Sequence, residues 1–389
     1  MLQHFPASSA DNLPRMPSTS PAADPTTTPA PRDARGAVLD LSADVTSLTA
    51  AVCDIESVSQ DEAPLADAIE AALRPLAHLE VTRDGNTVIA RTSLGRAERV
   101  VLAGHIDTVP LTSVPNLPTR RVDGELWGRG TVDMKGGVAV MLRIAAQVTE
   151  PSRDLTFLFY ECEEIDASFN GLARVADTSP ELVAGDFAVL LEPTNGAIEG
   201  GCKGTLRVEV VTKGVAAHSA RPWKGHNAIH DAGPVLTRLA AYEAETITVD
   251  GLDYHEALQA VGISGGIAGN VIPDRCTVTV NYRYAPDKNT EEAFAHVRQV
   301  FEGFEVTLSD AADGARPGLH LPAAKAFIDA LGVTVNPKEG WTDVARFSAL
   351  GIPAVNFGPG DPNLAHMDDE RCPVEQYVEA EAALLRWLG

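Results

Sequence analysis

Four short apolar runs constrain this chain more than any other feature: 100–103, 155–160, 187–191 and 353–357. Each is too short for a typical helix and mostly apolar on both faces, the pattern of strands buried between helical layers. Helical segments able to supply those layers lie at 138–148 and 377–388. The succession strand, helix, strand, strand from Val100 to Leu191 implies an α/β domain with a mixed, mainly parallel sheet, and such sheets place their sites beyond the carboxyl ends of their strands. Every run leads into ionisable residues. His105-Ile-Asp107 follows the first, Glu161-Cys-Glu163-Glu164 the second and Glu192 the third, and His366 lies in the loop beyond the fourth. One rim of one sheet is expected to collect them.

The rest of the chain arranges itself around that sheet. A helical period runs through Val45, Leu48, Val52 and Ile55 and again through Leu65, Ile69 and Leu73, with Pro64 suited to a first helical turn. From about Gly204 to Gly314 the texture changes. Leu206, Val208 and Val210 alternate with Arg207 and Glu209, a helix is expected at 227–242, strands near 257–267 and 276–284, a helix at 290–303 and a strand at 305–309. That order, βαββαβ, predicts a ferredoxin-like domain inserted into the first. The expected division is therefore 36–203 with 314–389 as the catalytic domain and 204–313 as an inserted lid. Residues 1–35, with seven prolines and no hydrophobic core to a signal peptide, are expected to be a disordered leader.

Composition narrows the function. The 389 residues carry a formal charge of −23, a field that repels phosphate backbones and anionic membrane surfaces, so neither nucleic acid nor membrane is an expected partner. Five cysteines, odd in number and without a CxxC pair, suggest no disulfide framework and no thiolate zinc site, which suits a reducing cytoplasm. The longest apolar stretch, 137–146, is interrupted by Arg143 and falls far short of the roughly 20 residues that span a bilayer.

The chemistry resides in the rim residues. His105 and Asp107 are two apart, so in extended chain both side chains point the same way, one able to bind a metal while the other steadies its imidazole. Asp133 lies in Gly128-Arg-Gly-Thr-Val-Asp-Met-Lys-Gly-Gly137, a turn whose four glycines indicate close approach of backbone to something, with a carboxylate bridging two cations as one reason. A helix cap would explain Asp133 as well. Glu163 and Glu164 repel each other at a strand end unless cations lie near, and Glu192 sits at the edge of a buried strand. Each feature alone has a plainer structural explanation. Together, two histidines and three carboxylates, His105, Asp133, Glu164, Glu192 and His366, match the mixed N/O ligation of zinc or a similar divalent ion and exceed what one tetrahedral site needs. Two metals sharing Asp133 is the simplest solution, with Glu163, not itself a ligand, as the general base.

These motifs, together with Gly104-His-Ile-Asp-Thr-Val-Pro110, Leu191-Glu-Pro-Thr194 and Gly269-Asn-Val-Ile-Pro273, resemble the zinc aminoacylase and carboxypeptidase superfamily from about residue 40 to the end. Within it the chain most resembles the succinyl-diaminopimelate desuccinylases of the actinobacterial kind, with acetylornithine deacetylases as near relatives. The resemblance implies a cytoplasmic homodimer that binds two zinc ions, with cobalt accepted in one position. It would hydrolyse N-succinyl-LL-2,6-diaminopimelate; N-acetylornithine or a peptide is the alternative substrate. It makes His105, Asp133 and Glu192 one metal set and Asp133, Glu164 and His366 the other, with Asp107 orienting and Glu163 the base. It further implies dimerisation through the lid, His218 reaching the partner's site, and substrate contacts at Thr205, Asn270, Arg283, Thr342 and Asn363. Arg283 also has a physical argument, since a guanidinium suits a substrate carboxylate. A relative that has lost catalysis would lack the base or a ligand, and none is missing. Two segments depart from the family pattern, Ile165-Asp-Ala-Ser168 after the glutamate pair and Pro362-Asn-Leu-Ala365 before His366.

Overall fold

The computed structural model describes residues 36–112 and 116–389, so the leader expected at 1–35 lies outside the described residues. The chain enters through two helices, α1 (Val45–Asp54) and α2 (Ala63–Leu73). The Asp44 carboxylate caps α1 by accepting the Ser47 N–H, and Pro64 occupies the first turn of α2. There follow β1 (Glu80–Asp84), β2 (Thr87–Arg91), β3 (Arg99–His105), α3 (Lys135–Gln147), β4 (Asp154–Tyr160), α4 (Gly171–Thr178), β5 (Phe187–Leu190) and β6 (Ile198–Gly200). The chain then runs through β7 (Gly204–Lys213), α5 (Ala228–Asp231), α6 (Gly233–Ala240), β8 (Ala257–Gly265), β9 (Arg275–Tyr284), α7 (Thr290–Val300) and β10 (Glu305–Ala312). It returns through α8 (Pro322–Leu331), β11 (Val335–Pro337), β12 (Ala354–Asn356) and α9 (Val374–Leu388).

The main sheet has eight strands in the order β1-β2-β4-β3-β5-β12-β6-β11. At its centre the four apolar runs are consecutive neighbours and all parallel, β4 beside β3, β3 beside β5 and β5 beside β12. Their carboxyl ends therefore open on one side, as the expected rim requires. Successive residues of a strand enter opposite cores. Val100 and Leu102 pack with α1, α3 and α9, whereas Val101 and Ala103 pack with Leu172 and Val175 of α4 and with Phe347. That two-sided burial is why the runs lack polar alternation. The antiparallel edge strands β1 and β2 were not foreseen, nor were β6 and β11.

A second, four-stranded antiparallel sheet has the order β8-β9-β7-β10. With α5, α6 and α7 over one face it has the ferredoxin-like βαββαβ arrangement. Leu206, Val208 and Val210 meet Ala228, Val235, Val297 and Phe301 in its core, and the capping box of Asn289 and Glu292 starts α7. The intervening positions Thr205, Arg207, Asn281 and Arg283 lie on the other face. Two details differ from expectation. The helix foreseen at 227–242 is broken into α5 and α6, because Pro234 has no N–H to continue the helix and is accommodated only by starting another. Between this helical pair and β8 the chain also forms a hairpin, Thr246–Val249 with Leu252–His255, whose two central residues Asp250 and Gly251 have positive φ. That Asp-Gly pair is a hairpin signal legible in the sequence.

The two chain crossings between the sheets pair with each other. Cys202 N–H donates to Ala315 O and Ala315 N–H to Cys202 O, both at 3.0 Å. All five cysteines are free and buried, and no helix of the described residues is long and apolar enough to cross a membrane.

Candidate metal centre

His105 is the last residue of β3, Glu163 and Glu164 lie just beyond β4, and Glu192 lies two residues past β5. Backbone bonds from Leu191 N to Ala103 O (3.0 Å) and from Ile106 N to Tyr160 O (2.8 Å) carry the strand register out to these ends. The His366 loop arrives from beyond β12. At the centre sits Asp133, with its two carboxylate oxygens divided. Oδ1 lies 3.1 Å from His105 Nε2 and Oδ2 lies 3.2 Å from His366 Nε2, which is also 3.0 Å from Glu164 Oε1. Two groups result, His105 with Asp133 and Glu192, and Asp133 with Glu164 and His366; within each, one potential ligand atom per residue lies within 4.8 Å of the others.

Asp107 does not join either group. Its carboxylate accepts the backbone N–H groups of Glu163 (3.0 Å) and Glu164 (3.2 Å) and the Ser59 hydroxyl (2.7 Å), and it lies 3.5 Å from His105 Nδ1, the ring nitrogen turned away from Asp133. Nδ1 itself lies 3.0 Å from the Asp107 backbone O, and an acceptor there fixes the ring and leaves the other nitrogen free for a metal.

The close approach that the glycines around Asp133 suggested is present at two of them. A Cβ on Gly137 would fall 2.2 Å from Leu191 O, and one on Gly136 would fall 2.5 Å from the Tyr377 ring. The close approach is therefore of α3 to the strand end that bears Glu192 and to α9. Gly136 and Gly137 thus let the start of α3 abut the rim, while Gly128 and Gly130, in the turn itself, have positive φ.

Electrostatics test whether cations fit. Burial pushes the Glu163 carboxyl well above its usual range, opposed by His105 and reinforced by Asp343, Glu192 and Glu164. Burial also raises Glu164, and with the Asp133 charge it pushes Glu192 up to about 7. His366 is pushed up to about 10 by its bonds to Asp133 and Glu164. Asp133 is held below its usual range by the two imidazoles in spite of its burial. Four carboxylates thus share a pocket with only two imidazoles. Glu192 Oε1 is buried with no hydrogen-bond partner among the described residues, an orphan acceptor of the kind that demands an explanation. Divalent cations would satisfy it and remove the mutual repulsion.

The structure separates the remaining expected site residues. His218 is exposed, with its backbone bridged to Val271, and Asn270 O accepts the Ser219 N–H close by. Thr205 pairs in register with Arg283 on the face of the second sheet away from its helices. Thr342 is buried and donates its hydroxyl to Asn356 Oδ1 at 3.0 Å, while exposed Asn363 turns its amide to Asp361 Oδ1 at 2.8 Å. None of these six belongs to either metal-ligand group.

Two buried acids were missed from the sequence. Glu370 accepts the N–H groups of Val132 (2.9 Å) and Asp133 (3.2 Å) and pairs with Arg129. Asp343 holds Asn170 Nδ2 at 3.1 Å, pairs with Arg346, and adds to the negative surroundings of Glu163. Glu370 lies in the same short acidic run as His366, and Arg129 in the same turn as Asp133, so proximity to the ligands was the available signal.

Residues 101–389 match the model of peptidase family M20/M25/M40. The chain is 48% identical over 362 residues to the succinyl-diaminopimelate desuccinylase of Corynebacterium glutamicum, covering 90% of this chain and 98% of the relative. It is 55% identical over 355 residues to a Mycobacterium tuberculosis protein provisionally given the same name, covering 90% of this chain and 100% of that one. Among solved structures, a tripeptidase from Staphylococcus aureus superposes with a TM-score of 0.73 at 20% identity, covering 90% of this chain and 98% of the other. The Bacillus subtilis YXEP protein, described as a dinuclear metal-binding peptidase of the M20 family, superposes with a TM-score of 0.64 at 19% identity, over 88% and 96%.

Proposed function

This chain belongs to peptidase family M20/M25/M40, and we propose that it hydrolyses N-succinyl-LL-2,6-diaminopimelate to succinate and LL-2,6-diaminopimelate at the cluster centred on Asp133. The observation that carries this reading is the division of the Asp133 carboxylate between His105 and His366, at 3.1 and 3.2 Å, with Glu192 beside one group and Glu164 beside the other. Such a constellation would hold two cations, with His105, Asp133 and Glu192 around one and Asp133, Glu164 and His366 around the other. Zinc in both positions, with cobalt accepted in one, suits these imidazole and carboxylate donors. When bound, the pair supplies positive charge that polarises an amide carbonyl and acidifies a water.

The chain's own residues do the rest. Asp107 holds the Glu163 and Glu164 backbone and the back of the His105 ring, so the β3 and β4 ends keep their spacing. Glu163, which belongs to neither metal-ligand group and is therefore left free, takes a proton from the attacking water and returns it to the departing amine. Arg283 supports the substrate assignment. Its guanidinium has no hydrogen-bond or ion-pair partner among the described residues, although the side chain is partly buried, and the substrate carries several carboxylates. Thr205 faces the same side, and Asn270, Thr342 and Asn363 complete the proposed contacts.

Residues 204–313 act as a lid and dimer module in this reading, set on a catalytic domain of 36–203 and 314–389. Strand β8 is an edge strand whose Val261 and Ile263 are 60% and 56% exposed, and Ile267 beyond it is 85% exposed. An apolar, unpaired edge of this kind suits a second copy of the chain. His218 of one protomer would then stabilise the oxyanion in its partner's site. A cytoplasmic location accords with the substrate and with five free thiols.

The test offers the purified protein both N-succinyl-LL-diaminopimelate and N-acetylornithine, and follows release of succinate and acetate. Succinate release is expected to dominate in kcat/KM. Preferential acetate release would overturn the substrate assignment and leave the amide hydrolase standing.

A further inference from the structure

One buried ion pair ties together the two loops that bring Asp133 and His366 to each other. Arg129 belongs to the Asp133 turn, and its guanidinium reaches into the other loop. Nη1 lies 2.7 Å from Glu370 Oε2 and 3.4 Å from Met367 O, while Nη2 lies 3.4 Å from His366 O. Glu370 belongs to the His366 loop and reaches back, with Oε1 accepting the N–H groups of Val132 and Asp133. Gly128 N–H also donates to Glu370 O at 3.0 Å. Each loop thus grips the other's backbone at the ligand itself, and both side chains are almost fully enclosed, 2% and 0% exposed.

The His366 loop needs such a fastening. His366 has a φ of +66°, in the left-handed region, and its side chain is 51% exposed, so packing does little to hold it. A buried ion pair is a poor source of stability, because desolvation offsets its attraction, and it is better understood as setting position. We infer that Arg129 and Glu370 are positioning residues that set the distance between Asp133 and His366, and with it the affinity of the second cation position. This rests on the two-cation reading above.

Cation binding to the chelator-stripped full-length chain tests this, with Zn2+ added against a competing chromophoric chelator. The wild type is expected to bind two ions in distinguishable steps. Arg129→Lys and Glu370→Gln keep charge or shape on opposite sides of the pair, so one approaches the question if the other folds poorly. Either is expected to weaken one binding step by about 10- to 100-fold, the range typical of groups that orient ligands, with the other step within about twofold. His366→Ala should lose the same step, and adding Arg129→Lys to it should weaken zinc binding no further. A thermal midpoint lowered with both binding steps unchanged, or both steps weakened equally, would show a merely structural staple and overturn the inference. A wild type that binds no zinc overturns the two-cation reading itself.

Discussion

The carboxylate of Asp107 accepts the peptide N–H of Glu163 at 3.0 Å. This joins the loop after β3 to the loop after β4, so the residue behind the first histidine also fixes the proposed base. The same carboxylate takes the Glu164 N–H and the Ser59 hydroxyl.

Asp107→Ala leaves the part-buried Glu163 and Glu164 N–H groups without an acceptor and the Ser59 hydroxyl with only the long bond to Thr108 O, at about 1–3 kcal/mol for each donor that water does not reach. The loss of stability in urea, measured in chelator, is expected to be about 3 kcal/mol or more. Asp107→Asn retains one acceptor oxygen and should lose less than half as much. An alanine variant within 1 kcal/mol of wild type would contradict this role.

Glu163→Gln removes the proposed proton carrier while sparing both groups of metal-ligand residues. It should bind zinc as the wild type does and lose about 10² to 10⁴ in kcat. Near-full turnover on the succinylated substrate would exclude Glu163 as the base.

Proton release on cation binding follows from the shifted groups. His366, raised to about 10, is protonated at pH 7 and must lose that proton to act as a ligand, and Glu192, raised to about 7, is partly protonated. Titration calorimetry at pH 7 in buffers of different ionisation enthalpy should therefore show net proton release. For the metal-free chain the sign is opposite in kind. Both groups bind protons more tightly folded than unfolded, so their contribution is present at low pH and is lost as pH rises, through about 7 for Glu192 and about 10 for His366. The urea midpoint in chelator should fall from pH 5 to pH 9, and a rise over that interval would refute the assignment.

Arg283→Ala removes a partly buried guanidinium that has no hydrogen-bond or ion-pair partner among the described residues. Loss of a charge-assisted contact worth about 1.5–3 kcal/mol should lower kcat/KM by about 10- to 100-fold, mostly through KM, with the thermal midpoint little changed. Equal kinetics for variant and wild type would remove Arg283 from the substrate site.

Gly137→Ala has a diagnostic sign. In an open helix the change would stabilise by about 1 kcal/mol, but here the new Cβ meets Leu191 O at 2.2 Å. Overpacking of about 1–3 kcal/mol should prevail and the thermal midpoint should fall. A raised midpoint would show that α3 does not abut the Glu192 strand end.

Several elements were legible from local pattern. The four runs became adjacent parallel strands because residues such as Val100 and Val101 must each find a separate apolar core. The βαββαβ order and the placing of Pro64 in the first turn of α2 were equally local. The break at Pro234, inside a helical period that continues on both sides, and the hairpin at Asp250-Gly251 both carried plain local signals. The reason for Gly136 and Gly137 was out of reach, since the atoms they approach, in Tyr377 and at Leu191, belong to segments that only folding brings near.

The sequence by itself determined which residue types could meet at the rim, because strand ends in a two-sided sheet leave little choice of where charge can emerge. It did not determine how they meet. The assignment of Asp133 Oδ1 to His105 and Oδ2 to His366, the withdrawal of Asp107 behind the imidazole, and the Arg129–Glu370 clasp depend on distances between residues up to 241 positions apart. Those distances are set by the register of neighbouring strands and the packing of α3 and α9 against them, which have no signature in local periodicity. The sharing of Asp133 was expected from the sequence; only the tertiary structure shows which carboxylate oxygen faces which histidine and at what distance.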